Sequence, residues 1–360
     1  MKITLLGPYP PPYGGISVHV QRLKKKLEER AVPCIVYDYS GICKREGGVV
    51  MVNNKATWLL SQLFDNTDNI IHCCGYSPSA LTVLSILAIV KRKEVILDAG
   101  GFLFGQEGIA SRHRFAFKMA ARAGIYFIAE SSRSKDIILS LGIKPENVND
   151  EIIPCFIPPE VEAEGVSQLP DKIQSFINNH GPIITANAFR ISFYNNEDLY
   201  GIDLCIDLCA NLKLSHPNVG FILCISTVGD YDYLSKVIRR TREKGIEDNF
   251  LFASNVQAYH DILTRSDVFI RPTNTDGDSV SLREALYLRV PSVASDAVPR
   301  PDSAILFRNR DVADLTSKVE QILGNYGFYK TKLEAVKIED NTEKILRVYR
   351  RLERSKRRTK

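Results

Sequence analysis

The chain lacks a long apolar run. Its longest, ALTVLSILAIV at 80–90, is about half the ~20 residues that a helix needs to cross a bilayer, so it reads as a buried helix and any membrane contact as peripheral. The amino terminus, MKITLLGPYPP, meets proline before an export signal's apolar core could develop. Eight cysteines are scattered with no C-x-x-C, and several lie inside apolar runs such as FILCIS; that pattern points to free buried thiols and a cytoplasmic protein rather than a disulfide scaffold. No G-x-G-x-x-G follows the first strand, which weighs against a dinucleotide site. No cofactor is expected. Neither an internal repeat nor zinc or calcium ligand spacing occurs, and no metal is expected.

What is present is ordinary globular material: 360 residues, 44% apolar and 25% charged, long enough for two domains. The net charge is +5, but RRLERSKRRTK at Arg350–Lys360 carries seven Lys or Arg and one Glu, so the remainder is close to neutral. This tail can meet anionic lipid at the inner face of the plasma membrane; its plainer reading is a solubilising terminus. No nucleic-acid partner is expected.

Strand and helix patterns alternate. In the first half KITLLG, CIVYDY, NIIHCCG, EVILDAGG, GIYFIAE and NDEIIPCFIPP read as strands, with helices from Ile16, around Thr57–Leu63, and over Pro78–Lys91, Arg112–Ala123 and SSRSKDIILSLGI. The first helix is expected to turn Val18, Val20, Leu23 and Leu27 inward. The proline-bearing, acidic stretch at 158–182 reads as the boundary. PIITANAFR opens a second strand-first half, which continues through VGFILCIS, NFLFAS, DVFIRPT, PSVASD and ILF. This alternation implies α/β, doubly wound parallel sheets. The expected domains are 1–165, 180–330, and a terminal helix with the basic tail over 331–360.

The most informative stretch is RPTNTDGDSVSLREALYLRVPSVASD, Arg271–Asp296. It reads as a strand end, a small polar loop, a helix with Leu282, Ala285, Leu286 and Val290 at helical spacing, and another strand. A helix start after a strand leaves free N–H groups where anions bind. Asp276 in the loop and Glu284 in the helix could hold sugar hydroxyls while the amides of Asp278, Ser279, Val280 and Ser281 hold phosphate. The plainer reading is an N-cap acid and a solvated helix Glu. Gly14–Gly15, after PYPPPY and before the first helix, could form a second anion site. At strand ends, where ligands of such sheets sit, stand His72, Asp98, Gly100 and Glu130. His19 lies one turn beyond the glycines, on a helix side with little else apolar.

These segments resemble the retaining GT-B glycosyltransferases, family 4 in particular. There the pattern E-G-F-G-L-P-x-x-E-A precedes G-x-P-V-V-A-S-D; here it is D-G-D-S-V-S-L-R-E-A and R-V-P-S-V-A-S-D. PYGG resembles the family's P-x-x-G-G opening, and Tyr200–Asp203, YGID, its K-G-x-D. The resemblance implies two Rossmann-like domains facing a cleft. It implies metal-independent, hexosyltransferase-type transfer with retention, from a UDP- or GDP-linked sugar to a glycan or lipid-linked glycan, as in surface polysaccharide assembly. Glu284 would hold the nucleotide ribose and Asp276 would face the donor sugar. Gly14, Gly15 and Arg190 would meet the diphosphate. Asp98 stands where the family carries a sugar-contacting histidine, and Asp98, Gly100, His19 and His72 would line the sugar and acceptor side. Tyr200 replaces the family's second cation, a lysine. A GT-B-shaped nucleotide-sugar-binding protein without turnover is therefore the alternative, and a nucleotide-sugar epimerase a weaker one.

Overall fold

A computed structural model describes residues 1–41, 47–65, 67, 69–75, 77–100, 111–160 and 169–358. The chain divides into two compact units. One comprises Met1–Pro12, Ile16–Ile157 and Glu339–Lys360; the other comprises Tyr13–Gly15 and Pro158–Ile338.

The first unit contains β1 (Ile3–Leu6), α1 (Gly15–Glu29), β2 (Cys34–Asp38), β3 (Val49–Met51), α2 (Lys55–Phe64), β4 (Ile70–Cys73), α3 (Pro78–Lys91), β5 (Glu94–Ala99), α4 (Ser111–Ala123), β6 (Tyr126–Ala129) and α5 (Ser132–Ser140). Its six strands are all parallel in the order β3-β2-β1-β4-β5-β6. Strands β1, β4 and β6 are buried along their whole length, which is why they read as unbroken apolar runs rather than alternating ones.

The second unit contains α6 (Asp171–Asn179), β7 (Ile183–Arg190), a hairpin of β8 (Phe193–Tyr194) and β9 (Glu197–Asp198), α7 (Ile202–Ser215), β10 (Gly220–Thr227), α8 (Tyr231–Glu243), β11 (Phe250–Ser254), α9 (Tyr259–Thr264), β12 (Val268–Arg271), α10 (Val280–Tyr287), β13 (Ser292–Ser295), β14 (Ile305–Phe307), α11 (Val312–Gly324) and α12 (Tyr326–Glu334). Its main sheet, β11-β10-β7-β12-β13-β14, is again parallel. With the hairpin set aside, both sheets follow the doubly wound order 3-2-1-4-5-6. The expected α/β architecture, two Rossmann-like parallel sheets, is what the chain adopts. The winding direction reverses between β1 and β4 in the first sheet and between β7 and β12 in the second. Ligands of such sheets collect beyond the strand ends at that reversal.

The final helix, α13 (Thr342–Arg358), belongs to the first unit. Ile345, Leu346, Val348 and Tyr349 bury themselves with Leu5, Val36, Ile70 and Ile96. Arg347 and Lys344 pair with Glu151 at 2.6 and 3.5 Å.

The boundary stretch, 158–182, also carries a helix, α6, whose buried Ile173 and Ile177 give too short a period to stand out. Three readings are corrected. Asn149–Pro159 forms no named strand; the Asn149 side chain bonds the Ala129 backbone instead, and three prolines remove donors. The expected terminal helix is two, α12 and α13. On α1 the residue turned inward is His19, 3% exposed, while Val18 is half-buried; the side that seemed to lack apolar company is the one carrying Val20, Leu23 and Leu27. Cys73, Cys74, Cys205, Cys209 and Cys224 are buried and in no disulfide, and Cys43 lies outside the described residues.

One glycine matters for placing the second unit's loops. Gly201 precedes α7 at φ 64°, and a Cβ there would strike the Pro272 carbonyl. Gly201→Ala should therefore destabilise the chain by roughly 1–3 kcal/mol, measured by thermal melting, and an unchanged melt would show that the 272 turn yields freely.

Candidate functional site

The loop between β12 and α10 is organised by a buried ionic group. Asp276 accepts from Arg271 Nε at 2.8 Å, Arg271 Nη2 at 3.3 Å, Arg300 Nη1 at 2.9 Å, Thr273 Oγ1 at 3.3 Å and its neighbour Gly277 N at 3.0 Å. Burial alone would raise its pKa, but Arg271 and Arg300 outweigh that and hold it at about 2. Arg300 is fixed further by the Ser295 carbonyl at 3.1 Å and by Thr273 Oγ1 at 2.7 Å. Arg271 donates to the Asn187 carbonyl and side-chain oxygens at 3.2 Å, and its guanidinium lies 5.3 Å from the Tyr200 ring centre. Two guanidiniums thus share one carboxylate, and the group carries one positive charge in excess. The arrangement places a cation over Tyr200, the residue that stands where a lysine was expected.

Asp276 was expected to face a donor sugar. Both of its oxygens are instead taken by internal donors, because the strand-end arginine beside it needs a counter-ion once desolvated. Asp278 is likewise committed, to Arg283 Nε at 2.7 Å; burial raises its pKa despite that partner. Asp276–Gly277–Asp278 spells D-x-D, a spacing often associated with metal, but both carboxylates face guanidiniums.

The N-cap of α10 is Ser279, not Asp276: its Oγ accepts from Leu282 N at 3.3 Å and lies 3.3 Å from Ser281 Oγ. This cap leaves the Val280 and Ser281 amides without an intrahelical acceptor, at the positive end of the helix dipole. Glu284, in the second turn, is 5% exposed rather than solvated. Arg190 ends β7, beside the winding reversal, and is exposed. Gly15 opens α1, and Gly14 with Gly15 groups with the second unit.

In the first unit, His19, His72 and Asp98 come together. His72 is fully buried, with Nδ1 2.6 Å from the Tyr349 hydroxyl and Nε2 2.7 Å from Asp98 Oδ1. The ionised Asp98 carboxylate can only accept, so Nε2 carries the hydrogen of that bond, and Nδ1 pairs with the Tyr349 hydroxyl. With both nitrogens used, His72 has none left for a sugar hydroxyl, and its expected ligand contact is corrected to an internal one. Burial would raise the Asp98 pKa, but His72 and His19 hold its carboxyl well below the usual range. His19 Nε2 is 3.6 Å from Asp98 Oδ2. A Cβ at Gly100 would collide with the Glu130 carboxylate.

Sequence reasoning missed Arg271, Arg300 and Tyr349. A signal existed for Arg271, a lone charge closing the buried run VFI at a ligand-bearing strand end. None marked Arg300 or Tyr349, which reach their partners only through the tertiary fold.

The pattern of strands and helices is that of GT-B glycosyltransferases, two Rossmann-like α/β domains. Residues 192–325, which run from the β8–β9 hairpin to the end of α11, match the family described as Glycosyl transferases group 1. Solved structures agree in fold along nearly the whole chain. Anabaena Alr3699/HepE in complex with UDP-glucose superposes with a TM-score of 0.70 at 17% identity, covering 96% of this chain and 94% of that one. WaaG, a glycosyltransferase involved in lipopolysaccharide biosynthesis, gives 0.68 at 12% identity, covering 95% and 98%. A glycosyltransferase from Rickettsia africae ESF-5 gives 0.66 at 13% identity, covering 97% and 98%. Among curated proteins, no sequence matches.

Proposed function

We propose that the protein is a glycosyltransferase that moves a sugar from a UDP- or GDP-linked donor, with retention of configuration, to a glycan or lipid-linked glycan of a cell-surface polysaccharide. The observation that carries this reading is the excess guanidinium charge of Arg271 and Arg300, in the loop that leads to the open amides of Val280 and Ser281, inside the segment that matches the group 1 family. A desolvated cation and a helix N-terminus together suit a nucleotide diphosphate as it departs. Glu284 in the following turn is placed for the ribose, and exposed Arg190 for the phosphates. A UDP-linked donor is favoured because the HepE structures hold UDP and UDP-glucose. Asp276 then acts as counter-ion to the two arginines rather than as a sugar ligand.

Incubating the protein with a panel of UDP- and GDP-sugars, with and without glycan and lipid-linked acceptors, and reading mass change should show donor consumption with at least one pair. Binding without turnover across the panel would favour the second reading, a GT-B-shaped nucleotide-sugar-binding protein. Tyr200 in place of a lysine and the internally saturated Asp276 are what favour it.

For an acceptor in a membrane, the basic end of α13 is the proposed contact, at the cytoplasmic face. Flotation with vesicles rich in anionic lipid should recover the full chain and lose it when residues 350–360 are removed; equal recovery would remove the tail from the account.

A further inference from the structure

We propose that His19, Cys74 and Asp98 form a binding site for a single divalent ion of the zinc class, built from the first unit alone and independent of the donor site proposed above. One donor atom from each residue can be chosen so that all three lie within 4.8 Å of one another, and all three residues are buried. His19 Nε2 and Asp98 Oδ2 are 3.6 Å apart, outside hydrogen-bond range. Two ligands bonded at about 2.0–2.1 Å to one tetrahedral ion stand roughly 3.4 Å apart, so that gap fits a shared ion.

The second observation concerns unused valences. Both ring nitrogens of His19 and Oδ2 of Asp98 are buried without a hydrogen-bond partner, with side chains only 2% and 9% exposed. Leaving such atoms unpaired costs stability, so three orphans on two adjoining residues call for an occupant. An ion between them satisfies Asp98 Oδ2 and one His19 nitrogen together.

The fold fixes the three residues from independent elements. His19 is on the inward face of α1. Asp98 lies in β5, with its other oxygen held by His72, the kind of outer partner that orients a metal-bound carboxylate. Cys74 follows β4 and is pinned by its own N–H to the Leu6 carbonyl at 2.9 Å. Gly7 makes the approach possible: a Cβ there would meet Val20 Cγ2 at 2.9 Å and Cys74 Cβ at 3.4 Å.

The donor set selects the ion. A thiolate, an imidazole and a carboxylate suit zinc, not magnesium or calcium. On binding, the Cys74 thiol gives its proton to solvent and the Sγ–metal bond forms. The thiolate and the Asp98 carboxylate then balance the two positive charges, with His19 neutral. The fourth position is left for a water or a ligand hydroxyl. The sequence reading expected no metal because three ligands so far apart in the chain make no local spacing.

The test uses the full chain, stripped with chelator, loaded with Zn2+, desalted and assayed for bound metal, in parallel with Co2+ followed by absorbance. One equivalent of zinc and a thiolate-to-cobalt charge-transfer band are expected. Cys74→Ala should abolish the band, and Cys74→Ala and His19→Ala should each weaken zinc at least tenfold, while Cys224→Ala, which removes a buried thiol of the second unit, keeps one equivalent. A wild-type chain that retains no zinc, or that binds cobalt without the band, overturns the proposal, and that reading needs no variant to fold. Variants that fold and bind zinc as the wild type does overturn it equally.

Discussion

Asp276→Ala should be among the most damaging single substitutions in the second unit. Removing that carboxylate leaves two guanidiniums, 10% and 1% exposed, without the counter-ion they share. Breaking a buried ion pair from one side costs about 3–5 kcal/mol, which for a unit of this size lowers the melting temperature by roughly 6–20 °C. The pH dependence has a defined sign. Asp276 is held at about 2 in the folded chain against an ordinary 3.8, so its stabilisation is complete above pH 4 and is lost as pH falls toward 2. That difference corresponds to about 2 kcal/mol. The gap between wild type and Asp276→Ala should therefore narrow below pH 4, measured by denaturant unfolding across that range. A gap unchanged down to pH 2 would show that the carboxylate is not charged against the arginines.

The second large effect is expected at Glu284. Its side chain is buried in the second turn of α10, four residues past the open amide of Val280. Glu284→Ala should leave α10 intact, since alanine favours helix. It removes the charged acceptor proposed for the ribose hydroxyls, a contact of about 1.5–3 kcal/mol, so nucleotide affinity should fall about 10–150-fold. Transfer should fall at least as far, since the lost contact holds the donor through the reaction. Calorimetry with UDP on folded wild-type and variant protein measures this directly; equal affinities would move the ribose site elsewhere.

The sequence made the architecture legible because parallel strands buried on both faces leave unbroken apolar runs, and because the helix Pro78–Lys91 holds an apolar run too long for a strand and too short to cross a bilayer. β3 and α6 escaped notice because three residues, or two inward isoleucines, make no pattern. The loop before α10 was legible as an anion site from its small polar residues and the helix that follows. Its electrostatics were not. Asp276 looked like a free carboxylate because the two arginines that claim it come from a strand end and from a segment 24 residues on, and only the sheet brings them together. His19 was misjudged for a related reason: the residues it lies beside, Asp98 on β5 and Cys74 just after β4, are distant in the chain. Tyr349 sits in a helix whose charge dominates the eye, yet its hydroxyl lies 2.6 Å from His72 Nδ1.

The central claim is that the second unit grips the diphosphate of an activated sugar through an excess of buried positive charge beside a helix N-terminus. The most direct measurement is calorimetric titration of the wild-type chain with UDP-sugars and GDP-sugars, repeated with the matching free nucleosides. The account predicts saturable heat with at least one sugar nucleotide and none with its nucleoside, which lacks the phosphates. No heat with any sugar nucleotide, or equal binding of the nucleoside, would contradict it.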